Sequence, residues 1–551
     1  MRFEIDFTER YEFSGEVYDG INLLGKARLK FGDGSAIQLT MELSTYTGSG
    51  VDSYNRLVLK TPDGDIFTLF NCRSVGVFFI LSDFIVVGDI EDNFYCIKIR
   101  FLEMSDWFFQ GRYISGEYGD SLKWENNPSQ IDVTINSSEP KFNLVTESDV
   151  RSKIEGDSFI ISECVFFVIK SLGQGFSVKE IENKAIELPT LLTILLGQPL
   201  SIINIMVSSN DSRFSYSYLP VYKVYNKNHR YDGFWLRCIL QKRQLDETWQ
   251  DIFDKYYTNV CQDLIWRKLS GMHRYEGFWE YKFLGYISLL EKYVSKYSLT
   301  NGFTPKRKKK LTDDDINNIV NLCSLGLSDQ QKECLSAELK SITTDKSHFS
   351  DRFDHALSST DKDIIEIINL KASDVKFIVD RRNDIAHGDD IKIRPDEYQN
   401  VTVTLNKVIL LMTYWVLNIL GIKKDNFIKS LNVTHNSICL GAIINKKHIE
   451  RIRGDAEFIS VSRIEFDNLS KIKRKTNCCL INEDGYEYSE ELTEIYRKYI
   501  ETPGRPLNES IGYIFGVDDN NIFHKFKVYI EHDLLELCFN DVVIITKKHG
   551  A

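Results

Sequence analysis

Proline is scarce in this chain, 10 in 551 residues, and no long low-complexity stretch interrupts it. Extended disordered linkers are therefore not expected. Eleven cysteines are scattered through the sequence, an odd number with no CxxC pair. Neither a zinc site nor a disulfide framework is expected, and a reducing cytoplasm suits the thiols. No metal site and no cofactor is expected. The opening residues, MRFEIDFTERYEF, have no basic start followed by an apolar core, so no signal peptide is expected. Two apolar stretches invite comparison with membrane spans. Residues 188–207 are interrupted by Pro189, Gln198, Pro199 and Asn204, and 408–422 carry Asn418 and fall short of the roughly 18 residues a span needs. Both read as buried core, and no membrane partner is expected. P-loop, HExxH and GxSxG motifs are missing, as is a GxGxxG following a strand. The net charge of −11 argues against broad coating of nucleic acid but allows a locally basic nuclease site.

What is present is an ordinary globular composition, 43% hydrophobic and 27% charged, in a chain long enough for three or four domains. The 34 Phe and 27 Tyr imply well-filled cores. The fold class expected is multidomain α+β. Residues 1–140 read as a β-rich, sandwich-like N-terminal domain: Ile37, Leu39, Met41 and Leu43 alternate with other residues, as do Ile97, Ile99 and Phe101, then Ile131, Val133 and Ile135. Turn signals such as FGDGS and TPDGD separate these runs, as in antiparallel hairpins. The aromatic run at Trp107, Phe108 and Phe109 reads as core or inter-domain packing.

Residues 141–265 read as an α+β bridging module. Its SVKE sequence (177–180) is a capping box, opening a helix expected to break near Pro189 and end at Gly197. A β segment follows at 200–207, and 246–260 read as another helix. Residues 266–428 read as an all-α helical bundle, with helices at 275–297, 361–370, 374–387 and 395–420, and N-caps at Thr312 and Ser328. Residues 429–551 read as a mixed α/β C-terminal module of unknown role.

The chemistry concentrates in 375–390, VKFIVDRRNDIAHGDD. Val375, Ile378, Val379, Ile385 and Ala386 form the apolar stripe of an amphipathic helix. Gly388 is suited to stop it, which places His387 in the last turn. There the carbonyl end of the helix favours imidazolium by about 0.3–1 kcal/mol at an exposed site. The stretch resembles the ribonuclease motif of HEPN domains, R-x4–6-H, in Arg382-Asn383-Asp384-Ile385-Ala386-His387, with Arg381 as an extra cation. Arg267 and His273 fit the bare spacing too, but without the asparagine. The N-terminal region resembles that of the ApeA family, bacterial anti-phage proteins in which a β-rich part precedes a HEPN domain. That resemblance rests on the early glycine-punctuated β segment, LSDFIVVGDIEDNFYCIKIRF and the Trp-centred aromatic run.

The resemblance implies metal-independent RNA cleavage leaving a 2′,3′-cyclic phosphate and a 5′-OH. Arg382 would clamp the phosphate, His387 would transfer the proton, and Asn383 would orient. It implies cleavage of host tRNA or other cellular RNA in abortive infection, a phage-derived trigger and a homodimer through the helical domain. Arg382 and His387 lie five apart, roughly 140° around an ideal helix. Either the last turn is distorted or two chains pool their motifs. The plainer reading makes both residues surface helix-end groups partnered by the following aspartates. A second hypothesis is a catalytically inactive HEPN-fold sensor that binds a phage product or partner. A third is a carbohydrate-binding β sandwich, which would need exposed aromatics lining a groove in 1–140. The basic stretches 306–310 (KRKKK) and 471–475 (KIKRK) are open between solvated loop and RNA contact. Aspartates 313–315 are explained by a helix N-terminus, and Glu291, on the first long helix, either faces the motif or, the reading preferred, is core or surface.

Overall fold

The computed structural model describes residues 3–48, 51–116, 121–156, 158–210, 213–220, 233–303, 312–323, 326–342, 349–387, 397–502, 511–516 and 519–546. The chain divides into two compact units, Met1–Ile443 and Ile444–Ala551.

The first unit begins with β1 (Arg10–Asp19), β2 (Asn22–Gly32), β3 (Ser35–Met41), β4 (Ser53–Lys60), β5 (Ile66–Ser74), β6 (Phe79–Ser82), β7 (Phe84–Val87) and β8 (Cys96–Phe101). Alternation decides their faces: in β3, Ile37, Leu39 and Met41 are buried while their neighbours stay half-exposed or exposed. The two-residue turn into β3 uses Asp33 and Gly34, both with positive φ, which matches the twist of a tight hairpin. After β9 (Tyr113–Ser115) and β10 (Lys123–Glu125) come β11 (Asp132–Ile135), β12 (Phe142–Glu155), β13 (Ser158–Ser171), β14 (Ile202–Ser208) and β15 (Ser215–Tyr218).

Thirteen of these strands form one antiparallel sheet in the order β11-β12-β13-β8-β14-β15-β7-β5-β4-β1-β2-β3-β6. Because β6 also pairs with β5, the run from β5 to β6 closes on itself as a barrel. The boundary expected at 140 falls inside this sheet. β8 is a buried central strand that needs a neighbour on each side, and β13 and β14, both from the expected bridging module, supply them.

Helix α1 (Met104–Phe108) buries Trp107, whose indole N–H donates to Leu240 O at 2.9 Å. Helix α2 (Val178–Leu196) opens with the Ser177–Glu180 capping box. It does not break at Pro189. A proline removes one ladder bond, and burial of Leu188, Leu191 and Leu192 keeps the helix continuous across it. It ends on Gly197 at φ +62, as expected, where a Cβ would meet Ile239 Cδ1 at 2.5 Å. Helix α3 (Trp249–Lys255) runs into a π turn at Tyr256–Val260.

The helical part follows as α4 (Leu264–Met272), α5 (Trp279–Thr300), α6 (Asp313–Cys323), α7 (Asp329–Ile342), α8 (Phe349–Ser358), α9 (Lys362–Ile368), α10 (Ala372–His387) and α11 (Tyr398–Ile419), then α12 (Lys424–Val433) and α13 (Ser437–Gly441). Thr312 and Ser328 bond reciprocally with Asp315 and Gln331. Pro395 and Gly388 lie outside the described residues. Of the described helices, α11 is long and apolar enough to cross a membrane by composition, and 72% of its apolar window is buried here as the central core helix. Residues 429–443 stay with this unit rather than beginning the C-terminal module. Asn436 is fully buried, and its amide donates to Gly197 O and Arg237 O.

The second unit contains α14 (Lys446–Arg453), β16 (Glu457–Ser460), α15 (Arg463–Ser470), β17 (Thr476–Asn482), β18 (Tyr486–Tyr488), α16 (Glu490–Glu501), α17 (Ile511–Phe515), β19 (Ile522–His532) and β20 (Leu535–Thr546). Its mixed sheet runs β16-β19-β20-β17-β18. One face packs Val528, Ile530, Val542 and Ile544 against Phe466 and Leu469 of α15. The other packs Cys479, Val543 and Ile545 against Tyr496 of α16. This two-sided burial explains the β-branched run at 542–545, and the unit is the mixed module expected.

Candidate active site on helix α10

Helix α10 is held by charge at its start and in its last turns, and by apolar burial between them. At its start, Lys407 of α11 reaches Asp374 Oδ2 at 2.7 Å and Asn369 O at 2.7 Å, and its side chain is only 6% exposed. Ile378, fully buried, anchors the middle. One turn on, Arg382 donates from Nε to Glu291 Oε2 at 3.2 Å and from Nη2 to Glu291 Oε1 at 2.8 Å. This is a bidentate fork on α5, the geometry in which an arginine–carboxylate pair is strongest. Arg381, beside it, lies over the Phe377 ring at 5.3 Å and pairs with Asp384 at 2.9 Å and Glu397 at 3.6 Å.

Asn383 accepts from Arg382 Nη1 at 3.1 Å through Oδ1. Among the described residues three of the five guanidinium N–H groups are thus engaged, leaving one on each terminal nitrogen. Arg352 of α8 brings Nη2 within 4.0 Å of Glu291 Oε1. Glu291 therefore sits between two arginines. Helices α5, α8 and α10 pack against one another, which is what brings these side chains together.

The backbone of α10 is α-helical as far as His387, with no distorted last turn in the described span. The side chains of Ile385, Ala386 and His387 lie outside the described residues, as does the KRKKK stretch at 306–310. Helix geometry places Cα of Arg382 and His387 about 140° apart around the axis.

Glu291 takes the less favoured of the two places expected for it: it faces the motif, as the partner of Arg382. The signal was its place on the stripe Ile287, Leu290, Val294, Ser298, all buried, where an acid needs a cation. Arg352 and His355 were missed. Arg352 stands three after Phe349 and four before Ala356, both buried, so its pattern carried the same signal. His355 lies between the rings of Tyr297 and Phe303, and its buried Nε2 has no hydrogen-bond partner among the described residues.

The rival R-x5-H pair does not form a site of this kind. His273 packs against Tyr286, and desolvation, aided by Lys282, pushes its pKa down to about 4, so it is neutral at pH 7. Asp315 serves as a helix cap, and the Thr312 N–H holds its carboxyl below the usual range. Lys471, Lys473 and Arg474 are exposed on the second unit. Among the described residues no group of three His, Cys, Asp or Glu is placed to hold a metal ion. In the N-terminal region the large aromatics Phe67, Phe84, Phe94 and Phe101 are fully buried, while Phe79, Tyr95 and Tyr113 are exposed.

Two family models match the chain, ApeA N-terminal domain 1 over residues 13–256 and Apea-like HEPN over residues 284–426. The chain is an ApeA-type HEPN protein. The first match spans the boundary at 140 and covers most of the thirteen-stranded sheet. The second contains Glu291, Arg352 and the whole of α10, so the charged cluster belongs to the HEPN domain. No curated protein and no solved structure matches.

Proposed function

We propose that this ApeA-type HEPN protein is an anti-phage ribonuclease that cleaves RNA without a metal ion. The observation that carries the reading is the Glu291–Arg382–Asn383 arrangement. The carboxylate fixes the guanidinium plane, and one N–H on each terminal nitrogen, without a partner among the described residues, is left to donate to phosphate oxygens. RNA carries its own nucleophile. The 2′-oxygen attacks the adjacent phosphorus, the bond from phosphorus to the 5′-oxygen breaks, and a cyclic phosphate forms. One proton leaves the 2′-OH and one arrives on the departing oxygen. Histidine is the side chain whose pKa suits both transfers near neutral pH, and His387 takes that role. Arg382 stabilises the charge that grows on the phosphate.

Since α10 is regular, the Cα positions of Arg382 and His387 in one chain lie on different sides of its axis. A homodimer through the HEPN domain would bring the arginine of one copy to the histidine of the other, with RNA, host tRNA included, held between them. A phage-derived trigger sensed outside the HEPN domain would switch the site on.

A second reading is favoured by the same ion pair. An arginine already matched by a carboxylate is also what a silent, structural site contains, and the HEPN domain would then serve a binding protein. The deciding experiment compares wild type with Arg382→Ala and His387→Ala in infected and uninfected cells, scoring plaques and sequencing RNA ends. If both folded variants lose protection and lose new cyclic-phosphate ends, the site is catalytic. Protection retained in both variants leaves the binding reading.

A further inference from the structure

A cleft of about 380 Å³ opens between α5, α8, α11 and the segment leading into α4. One wall is aromatic. Trp415 stacks on Tyr293 with ring centroids 4.6 Å apart and planes 21° from parallel, and Tyr293 stacks on Tyr297 at 6.0 Å. The charges in the cleft are already matched: Lys296 pairs with Asp263 at 2.6 Å, and Asp361 with Lys424 at 2.9 Å. The side-chain amides of Asn259 and Asn418 are not. Both residues are exposed, both line the cleft, and neither amide has a hydrogen-bond partner among the described residues.

A site with an aromatic wall, solvent-facing carboxamides and no spare charge suits a planar, uncharged heterocycle. Stacking on aromatics is how proteins hold bases sequence-tolerantly, and asparagine amides read base edges through paired donor and acceptor. The volume lies in the range of small-molecule sites. Position points the same way. Tyr297 follows Glu291 by six residues on α5, about 9 Å of axial rise. Helix α8 carries Arg352 beside Glu291, while its end and the residues just after it, Ala356, Ser359 and Thr360, line the cleft. Asn259 lies in the segment between the two matched domains.

We propose that this cleft binds a nucleobase, packed against the half-buried ring of Tyr297 and hydrogen-bonded by Asn259 and Asn418. The base comes either from the RNA strand whose phosphate meets Arg382 or from a free nucleotide. The first source rests on the ribonuclease reading; the second does not.

The test uses the full chain. The four nucleoside 5′-monophosphates and an unstructured RNA oligonucleotide are titrated, with tryptophan fluorescence as the readout, because Trp415 and Trp266 line the cleft. Wild type, Arg382→Ala, Asn259→Ala with Asn418→Ala, and Ser359→Phe, which fills the cleft from an exposed position, are compared after circular dichroism confirms their folding. At least one mononucleotide should quench the wild type saturably. Its affinity should fall at least tenfold in both cleft variants and stay unchanged in Arg382→Ala. Displacement of the mononucleotide by the oligonucleotide identifies RNA as the source; simultaneous binding identifies a free nucleotide. Absence of saturable mononucleotide binding, together with unchanged RNA affinity in both cleft variants, overturns the proposal. Because Arg382→Ala tests the ribonuclease reading separately, loss of that reading leaves the mononucleotide result standing.

Discussion

Glu291 offers the sharpest test of how the α10 site is built. Its carboxylate grips Arg382 through two hydrogen bonds, and the two side chains are 29% and 30% exposed. At that exposure water can replace much of what is lost, so Glu291→Ala should cost only about 1 kcal/mol of stability. The effect on chemistry should be larger. Freed of its fork, the guanidinium loses the orientation that presents its remaining N–H edge, and misplacement by about 1 Å can cost roughly 100-fold. We expect kcat for RNA cleavage to fall roughly 10- to 100-fold, equivalent to about 1.4–2.7 kcal/mol. KM should not rise, because removing a negative charge beside the phosphate site raises the local positive potential. Glu291→Gln, which keeps one acceptor for Arg382, should fall between. The assay is steady-state cleavage of a labelled RNA, with thermal unfolding run in parallel. A rise in kcat for Glu291→Ala would refute the reasoning, since the carboxylate would then be a lock that withholds Arg382 from phosphate.

Two further predictions concern stability. Glu103 is 1% exposed and its Oε1 has no hydrogen-bond partner among the described residues; burial pushes its pKa up to about 7 despite the Ser201 N–H that bonds Oε2. The folded chain therefore keeps a proton that the unfolded chain loses above about pH 4.5, so this group's contribution falls as pH rises from 4.5 to 7 and is flat beyond. Glu103→Gln should raise the first unfolding transition at pH 8, by up to about 3 kcal/mol, and change little at pH 4–5, measured by calorimetry at both values. Ser177→Ala removes one half of the capping box that starts α2, the Oγ that accepts from Glu180 N at 3.4 Å. It should lower stability by about 1 kcal/mol, read as a shift in the urea midpoint with unchanged slope.

The features readable in the sequence were local. The SVKE cap, the reciprocal bonds of Thr312 with Asp315 and Ser328 with Gln331, the alternation in β3 and the helix bearing Arg382 all depend on residues within a few positions of one another. The family resemblance was readable for a similar reason, because RNDIAH and the aromatic run at Trp107 are compact strings. The remainder depended on long-range pairing. Glu291 meets Arg382 across 91 residues, and no local pattern names its partner. β8 finds β13 and β14 from beyond the expected boundary at 140, since a buried central strand recruits neighbours by geometry rather than by sequence distance. Pro189 misled in the opposite direction: its local cost is real, yet packing on both sides of α2 outweighs it.

The short run after α11 has a mechanical consequence. Ser430 donates to Gln244 Oε1, Thr434 to Cys238 O, His435 N to Leu236 O, and Asn436 to both Gly197 and Arg237. Each acceptor belongs to the N-terminal part, while the donors trail the HEPN helices. This seam works as a zip fastener whose teeth lie just past the edge of the recognisable HEPN domain. Trimming the protein at that edge would strand a row of buried carbonyls on the N-terminal part, each lost bond costing about 1 kcal/mol or more. The two modules can be told apart as text, but they are welded as matter. A displacement of the 236–244 segment is therefore felt at the foot of the helical bundle.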